Sequence, residues 1–227
     1  MIDELQRRGY DYGNGLISPA GNRFIVNIPK NASSYMLSWA GNFGYTVASA
    51  QLFDHQIEEL IVILRDPVER WISGISQYIN TYILSVEGPN GPIHGVENLT
   101  KYDQPMSVEQ WISNYNQSVE RLLFDVISQF DDHVFPQHKF FCDLLPRAQR
   151  KFFYIDQNFD SKIAEYLNFD HLPDLDRHSG DSSITIKELQ NFFRHRLNTR
   201  PELRQRLIDH YDTDYILIKE LFNARTR

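Results

Sequence analysis

Residues 24–36 read FIVNIPKNASSYM. An apolar run spanning Arg23 to Ile28 has the composition of a buried strand, and it ends on Pro29-Lys30. A cluster of small polar residues follows, and Ser33 to Ala40 reads as a helix closed by Gly41. Strand–loop–helix turns rich in small residues hold phosphate groups. The first N–H groups of the helix have no partner within it, and the helix dipole favours an anion there. Lys30, just ahead of that helix, adds a positive charge. The plainer reading is a solvated turn lysine with serines that cap the helix. A Walker A loop is excluded, because G-x-x-x-x-G-K-[ST] does not occur.

A second stretch repeats the pattern. Glu59 to Leu64 (ELIVIL) is a continuous apolar strand of the kind buried in parallel sheets, and Arg65-Asp66-Pro67 follows it. Asp66 suits the N-cap of a helix that begins at Pro67 and runs to about Tyr82, with Glu69 placed to complete a capping box. Capping does not explain Arg65, whose planar guanidinium is matched to bidentate phosphate recognition. Its alternative is an ion pair with a carboxylate such as Glu69. Ser73, two turns into the helix, could offer its hydroxyl to the same anion.

Further along, Ser107 and Gln110 stand in capping-box positions, Phe152 to Ile155 reads as a third strand, and Ser161 to Leu167 as a short helix. Residues 185–222 read as mostly helical with a break near Pro201. Strands alternating with helices predict an α/β fold, a three-layer domain with a mainly parallel central sheet. Ligands of such sheets sit beyond the carboxyl ends of the strands, where both loops fall. Residues 1–22 read as a lead-in segment and 83–106 as a long loop within a single domain over 1–227. Trp111 and Phe124 read as core.

Composition excludes several classes. The 227 residues are 41% hydrophobic and 23% charged, which is ordinary for a globular chain. The net charge of −7 speaks against a general nucleic-acid binder. No apolar run approaches a membrane span and the N-terminus lacks a signal-peptide core, so the expectation is a soluble, cytoplasmic protein. Cys142 is the only cysteine, which rules out an intrachain disulfide. The sequons at Asn31, Asn98 and Asn116 read as chance. Arginines at 194, 196, 200, 204 and 206 read as the solvated face of a helix rather than a glycan grip, because Glu202 and Asp209 are interspersed.

Taken together, PKNASSY and, 35 residues later, RDPVERWISG resemble the two cofactor motifs of the sulfotransferase family, commonly PK-x-G-S-[ST] and RDP-x-x-R-x-x-S. HVFPQHKFFC (133–142), RKFFYIDQNFDSKIAEYL (150–167) and HYDTDYILIKELF (210–222) are similar to further elements of its Golgi-type carbohydrate branch. A soluble bacterial or viral relative, or a trimmed catalytic domain, would fit. The resemblance implies a P-loop-like sulfotransferase fold and 3′-phosphoadenosine 5′-phosphosulfate (PAPS) as donor, with 3′,5′-ADP as product and no metal. It places Lys30, Asn31, Ala32, Ser33, Ser34 and Tyr35 around the 5′-phosphosulfate, Arg65 and Ser73 on the 3′-phosphate, and Arg177 and Ser179 in a loop over the cofactor. Ala32 stands where the family commonly has glycine. The implied acceptor is a small molecule or a glycan, most readily a carbohydrate hydroxyl.

Sulfuryl transfer resembles phosphoryl transfer in relying on positioning and charge stabilisation. Lys30 would neutralise the leaving group. A base must take the acceptor's proton, and His55, between the two motifs, is the choice because an imidazole titrates near neutral pH. His133 and His94 are the reserves. Two rival readings are a nucleotide-dependent kinase and a non-catalytic adenosine-phosphate binding module. The absent Walker pair and the lack of a clear Mg²⁺ aspartate count against the kinase.

Overall fold

The computed structural model describes residues 13–84, 107–128, 131–169 and 183–222. The chain divides into two compact units, one drawn from Met1–Pro67, Pro136–Gly180 and Tyr211–Arg227, the other from Val68–Phe135 and Asp181–His210.

The first unit holds the sheet. Its strands are β1 (Asn14–Ile17), β2 (Arg23–Val26), β3 (Thr46–Ser49), β4 (Glu59–Leu64) and β5 (Gln149–Tyr154), in the order β3-β1-β2-β4-β5. β2, β4 and β5 are parallel neighbours, with Ile25 opposite Ile61 and Val62 opposite Phe152. β1 runs antiparallel to β2 and to β3. β2 and β4 are buried on both faces, as their apolar runs require, whereas β5, at the sheet's edge, is exposed over Gln149 to Lys151. One face carries Ile25, Ile61, Ile63 and Phe153. Helix α1 (Ser33–Gly41) covers it with Tyr35, Met36 and Ala40, and α5 (Phe159–Leu167) with Ile163 and Leu167. The opposite face carries Phe24, Leu60, Val62 and Leu64, each at most 1% exposed.

β4 has the limits read from the sequence, whereas β5 starts three residues before the expected Phe152. The two antiparallel strands were not expected. β1 is a four-residue piece of the lead-in, joined to β2 by a turn in which the Gly21 N–H donates to Ser18 O (2.9 Å) at a left-handed glycine (φ +75°). β3 is short and at the sheet's edge, with Val47 68% exposed, so it carries no alternation of apolar and polar residues. Gly15 of β1 is obligatory: a Cβ there would lie 2.1 Å from Ile25 O.

The second unit is helical. Its helices are α2 (Pro67–Tyr78), continued by a π turn to Leu84, then α3 (Val108–Ser113), α4 (Gln117–Arg121), α6 (Ile184–Thr199) and α7 (Pro201–His210). α8 (Asp212–Phe222) returns to the first unit. The Ser107–Gln110 capping box forms as expected. Trp71 is fully buried, edge-on to Phe193, and donates its indole N–H to Ser128 Oγ (2.9 Å). Trp111 and Phe124 are core residues, 2% and 7% exposed. Gly74 lets α2 approach the His133 carbonyl, which a Cβ would meet at 2.5 Å. Arg194 pairs with Glu69 (3.0 Å) and Arg196 with Glu120 (3.0 Å), so these arginines serve intra-unit ion pairs. Among the described residues no helix is long and apolar enough to cross a membrane.

Candidate active site

Parallel strands put the ends of β2 and β4 at one edge, and the two loops read from the sequence meet there. Ile28 to Asn31 form a turn closed by the Asn31 N–H on Ile28 O (3.0 Å), with Pro29 second and Lys30 third at φ +66°. That is the arrangement of a type II turn, whose third residue must be left-handed. Ala32 is also left-handed, at φ +59°, which explains the glycine common at this position in the resembling motif. An alanine there costs about 1–2 kcal/mol of backbone strain. The Ala32 carbonyl accepts the Met36 N–H (2.8 Å), so Ala32 starts α1 and Ser33 and Ser34 occupy its first turn. The main-chain N–H groups of Ser33 and Ser34 have no acceptor among the described residues.

Arg65 closes onto this loop: its Nη1 donates to the Lys30 carbonyl at 3.1 Å. Gln137 fixes the spacing of the two loops. Its side-chain amide copies a strand, accepting the Arg65 N–H through Oε1 (2.9 Å) and donating from Nε2 to Arg65 O (2.9 Å). The same Oε1 accepts from Asn31 Nδ2, which also donates to Ile63 O at 2.8 Å. Gln137 is in turn held by Asp214 of α8. That carboxylate accepts the N–H groups of Gln137 (2.6 Å) and His138 (2.9 Å) and lies 2.7 Å from His138 Nδ1. Asp214, Gln137 and Asn31 are all at most 2% exposed. A buried polar chain of this kind is rigid when its members are satisfied. One atom is not: Asn31 Oδ1 is buried without a hydrogen-bond partner.

Two cationic side chains and the open start of a helix meet on adjacent strand ends, a donor set whose chemistry suits an anion. Of the other residues read from the sequence, Tyr35 packs its ring into the hydrophobic cluster under α1, and Ser73 is buried (1% exposed) in α2, which belongs to the second unit. Arg177, Ser179 and His94 lie outside the described residues.

His55 is corrected. It is exposed in the turn ahead of β4's amino end, a turn tied to the start of β2 by the Glu58 N–H on Asn22 O (2.8 Å). Lys30 follows the other end of β2, and the neighbouring six-residue β4 spans about 20 Å between the two edges. The connection between parallel strands must return to the amino edge before β4 begins, and His55, in the turn just ahead of β4, lies there on the wrong side of the sheet.

His133 is corrected as a base on other grounds. Its Nδ1 lies 3.0 Å from Asp131 Oδ1 and 2.9 Å from Asp132 Oδ1 in the second unit. Burial pushes the imidazole's pKa down, but hydrogen bonds to both carboxylates and their charges outweigh it, to about 9. At neutral pH this ring already holds its proton and cannot take another. The three side chains have metal-ligand spacing, yet the imidazolium satisfies both carboxylates. A pKa raised from 6.5 means a stabilisation fully present below pH 6.5 and lost as pH rises through about 9. Wild type should therefore lose about 1–2 kcal/mol of unfolding free energy over that window relative to His133→Gln, after allowance for solvent screening. Parallel pH profiles in urea titrations would contradict the imidazolium.

Ligands of open α/β sheets bind beyond the carboxyl ends of the parallel strands, where these two loops lie. A model described as the sulfotransferase family matches residues 30–219, and the chain belongs to that family. No curated protein and no solved structure gives a significant match.

Proposed function

We propose that this sulfotransferase takes its sulfuryl group from PAPS, with the 5′-phosphosulfate on the Lys30–Ser34 loop and the 3′-phosphate on Arg65. The observation that carries the reading is the Arg65–Lys30 contact, with Gln137 fixing the distance between the two loops. The donor set fits the ligand: an ammonium, a guanidinium and two main-chain N–H groups at a helix start suit a polyanionic nucleotide.

Overall, an acceptor oxygen gains an S–O bond as the S–O bond to the 5′-phosphate breaks. The bonding pair leaves on 3′,5′-ADP and the hydroxyl proton is released. Negative charge grows on the phosphate oxygen, where Lys30 and the N–H groups of Ser33 and Ser34 lower its energy. Tyr35 contributes main chain, since its ring is in the core. The acceptor class that the family resemblance favours is a carbohydrate hydroxyl.

Thermal shift tests the donor. 3′,5′-ADP and PAPS should raise the melting temperature, because a ligand that binds the native state stabilises it. Stabilisation by Mg-ATP alone would support the kinase reading instead. Stabilisation by PAPS with no consumption for any acceptor would leave a binding module.

A further inference from the structure

A cavity of about 350 Å³ opens on the β1–β2 side of the loop, between the sheet and α1. We infer that it is the acceptor pocket of the proposed reaction and that it selects a small, uncharged alcohol with an apolar body; this rests on the PAPS reading above.

Three observations carry it. The first is position. A donor that bridges the Lys30 loop and Arg65 spans from β2 towards β4, and neither Lys30 nor Arg65 lines the cavity. Asn31, Ser33 and Ser34 do line it, so the cavity borders the place proposed for the transferring group from the other side. The second is chemistry. The described lining includes no charged residue, and its walls are Leu16, Ile25, Met36, Leu37, Val47 and Ile63. Charge complementarity to an anionic glycan is therefore absent from this lining, whereas an apolar ring or chain would displace water from it. The volume sits at the lower end of the roughly 300–1,000 Å³ usual for small-molecule sites, too small for an oligosaccharide. The third is the mouth, where apolar side chains stand exposed. Leu37 and Val47 are 49% and 68% exposed, so the rim is apolar and unfilled by other described residues.

Hexyl β-D-glucopyranoside, a neutral hydroxylated probe with an apolar tail, tests the inference against chondroitin sulfate, a polyanion. Val47→Trp narrows the mouth at an exposed edge position where a tryptophan suits a strand. With PAPS saturating, the variant should raise the KM of the glucoside by roughly tenfold or more, in line with losing an apolar pocket contact. Leu37→Lys, on the opposite rim, should do the same, and neither should alter 3′,5′-ADP affinity measured by calorimetry. An unchanged KM in both variants overturns the inference. So does weakened 3′,5′-ADP binding, which would make this the adenosine pocket, or a higher kcat/KM for chondroitin sulfate than for the glucoside. If 3′,5′-ADP does not bind wild type, the donor reading is what fails. Saturation-transfer NMR of the glucoside on wild type and Val47→Trp then decides the cavity separately: loss of its signal in the variant supports it, and equal signals overturn it.

Discussion

Lys30→Ala should lower turnover by about a hundredfold or more while changing the Michaelis constant for PAPS far less. The ammonium is wanted most when the S–O bond breaks and charge collects on the departing phosphate, so its removal falls on the transition state rather than on the bound ground state. The backbone does not confuse the comparison. Lys30 already sits at φ +66°, and an alanine there carries the same left-handed strain as the lysine. Its carbonyl still accepts from Arg65, because that contact uses main chain. Steady-state kinetics with PAPS as the varied substrate separates the outcomes. Normal turnover with only a raised Michaelis constant would make Lys30 a simple binding cation and contradict its part in the chemistry.

The parts of the fold that could be read in the sequence are those where local and tertiary preferences agree. β4 announces itself because ELIVIL is apolar throughout, as a strand buried on both faces must be. Ser107 and Gln110 announce a helix start because their side chains satisfy each other's backbone donors. β1 and β3 do not, since four residues at a hairpin and an edge draw their stability from neighbours supplied elsewhere in the chain. That the two loops share one edge of the sheet was legible, but the side chain that joins them was not. Gln137 pairs with Arg65 as a strand would, and an amide acting as backbone leaves no pattern in composition or spacing. Asp214, far along the chain in α8, was equally invisible as its support. The misplacement of His55 has a topological cause: proximity in sequence to two motifs at one edge says nothing about which edge a residue between them occupies. Ala32 shows the reverse, a departure from the common glycine that the structure absorbs at a left-handed φ.

Arg65→Ala should weaken 3′,5′-ADP by about 10- to 150-fold and leave 5′-AMP nearly unchanged. The factor corresponds to a charge-assisted contact of ~1.5–3 kcal/mol. PAPS differs from adenosine 5′-phosphosulfate only by its 3′-phosphate, so a dedicated cation must read that group if PAPS is the donor. Arg65 is placed for it: both its main-chain groups are pinned by Gln137, and its guanidinium leans over the Lys30 loop. Planarity and multiple donors make arginine better suited than lysine to this task, so Arg65→Lys should recover only part of the loss. Equal losses for the two nucleotides would mean that Arg65 supports the loop through Lys30 O and reads no phosphate.

The most direct measurement is a calorimetric titration of the wild-type protein with 3′,5′-ADP and, separately, with 5′-AMP. The account predicts tighter binding of 3′,5′-ADP by at least about tenfold, the least that one charge-assisted contact contributes. Equal affinities, or no binding of 3′,5′-ADP at all, would contradict a 3′-phosphate site at the carboxyl ends of β2 and β4.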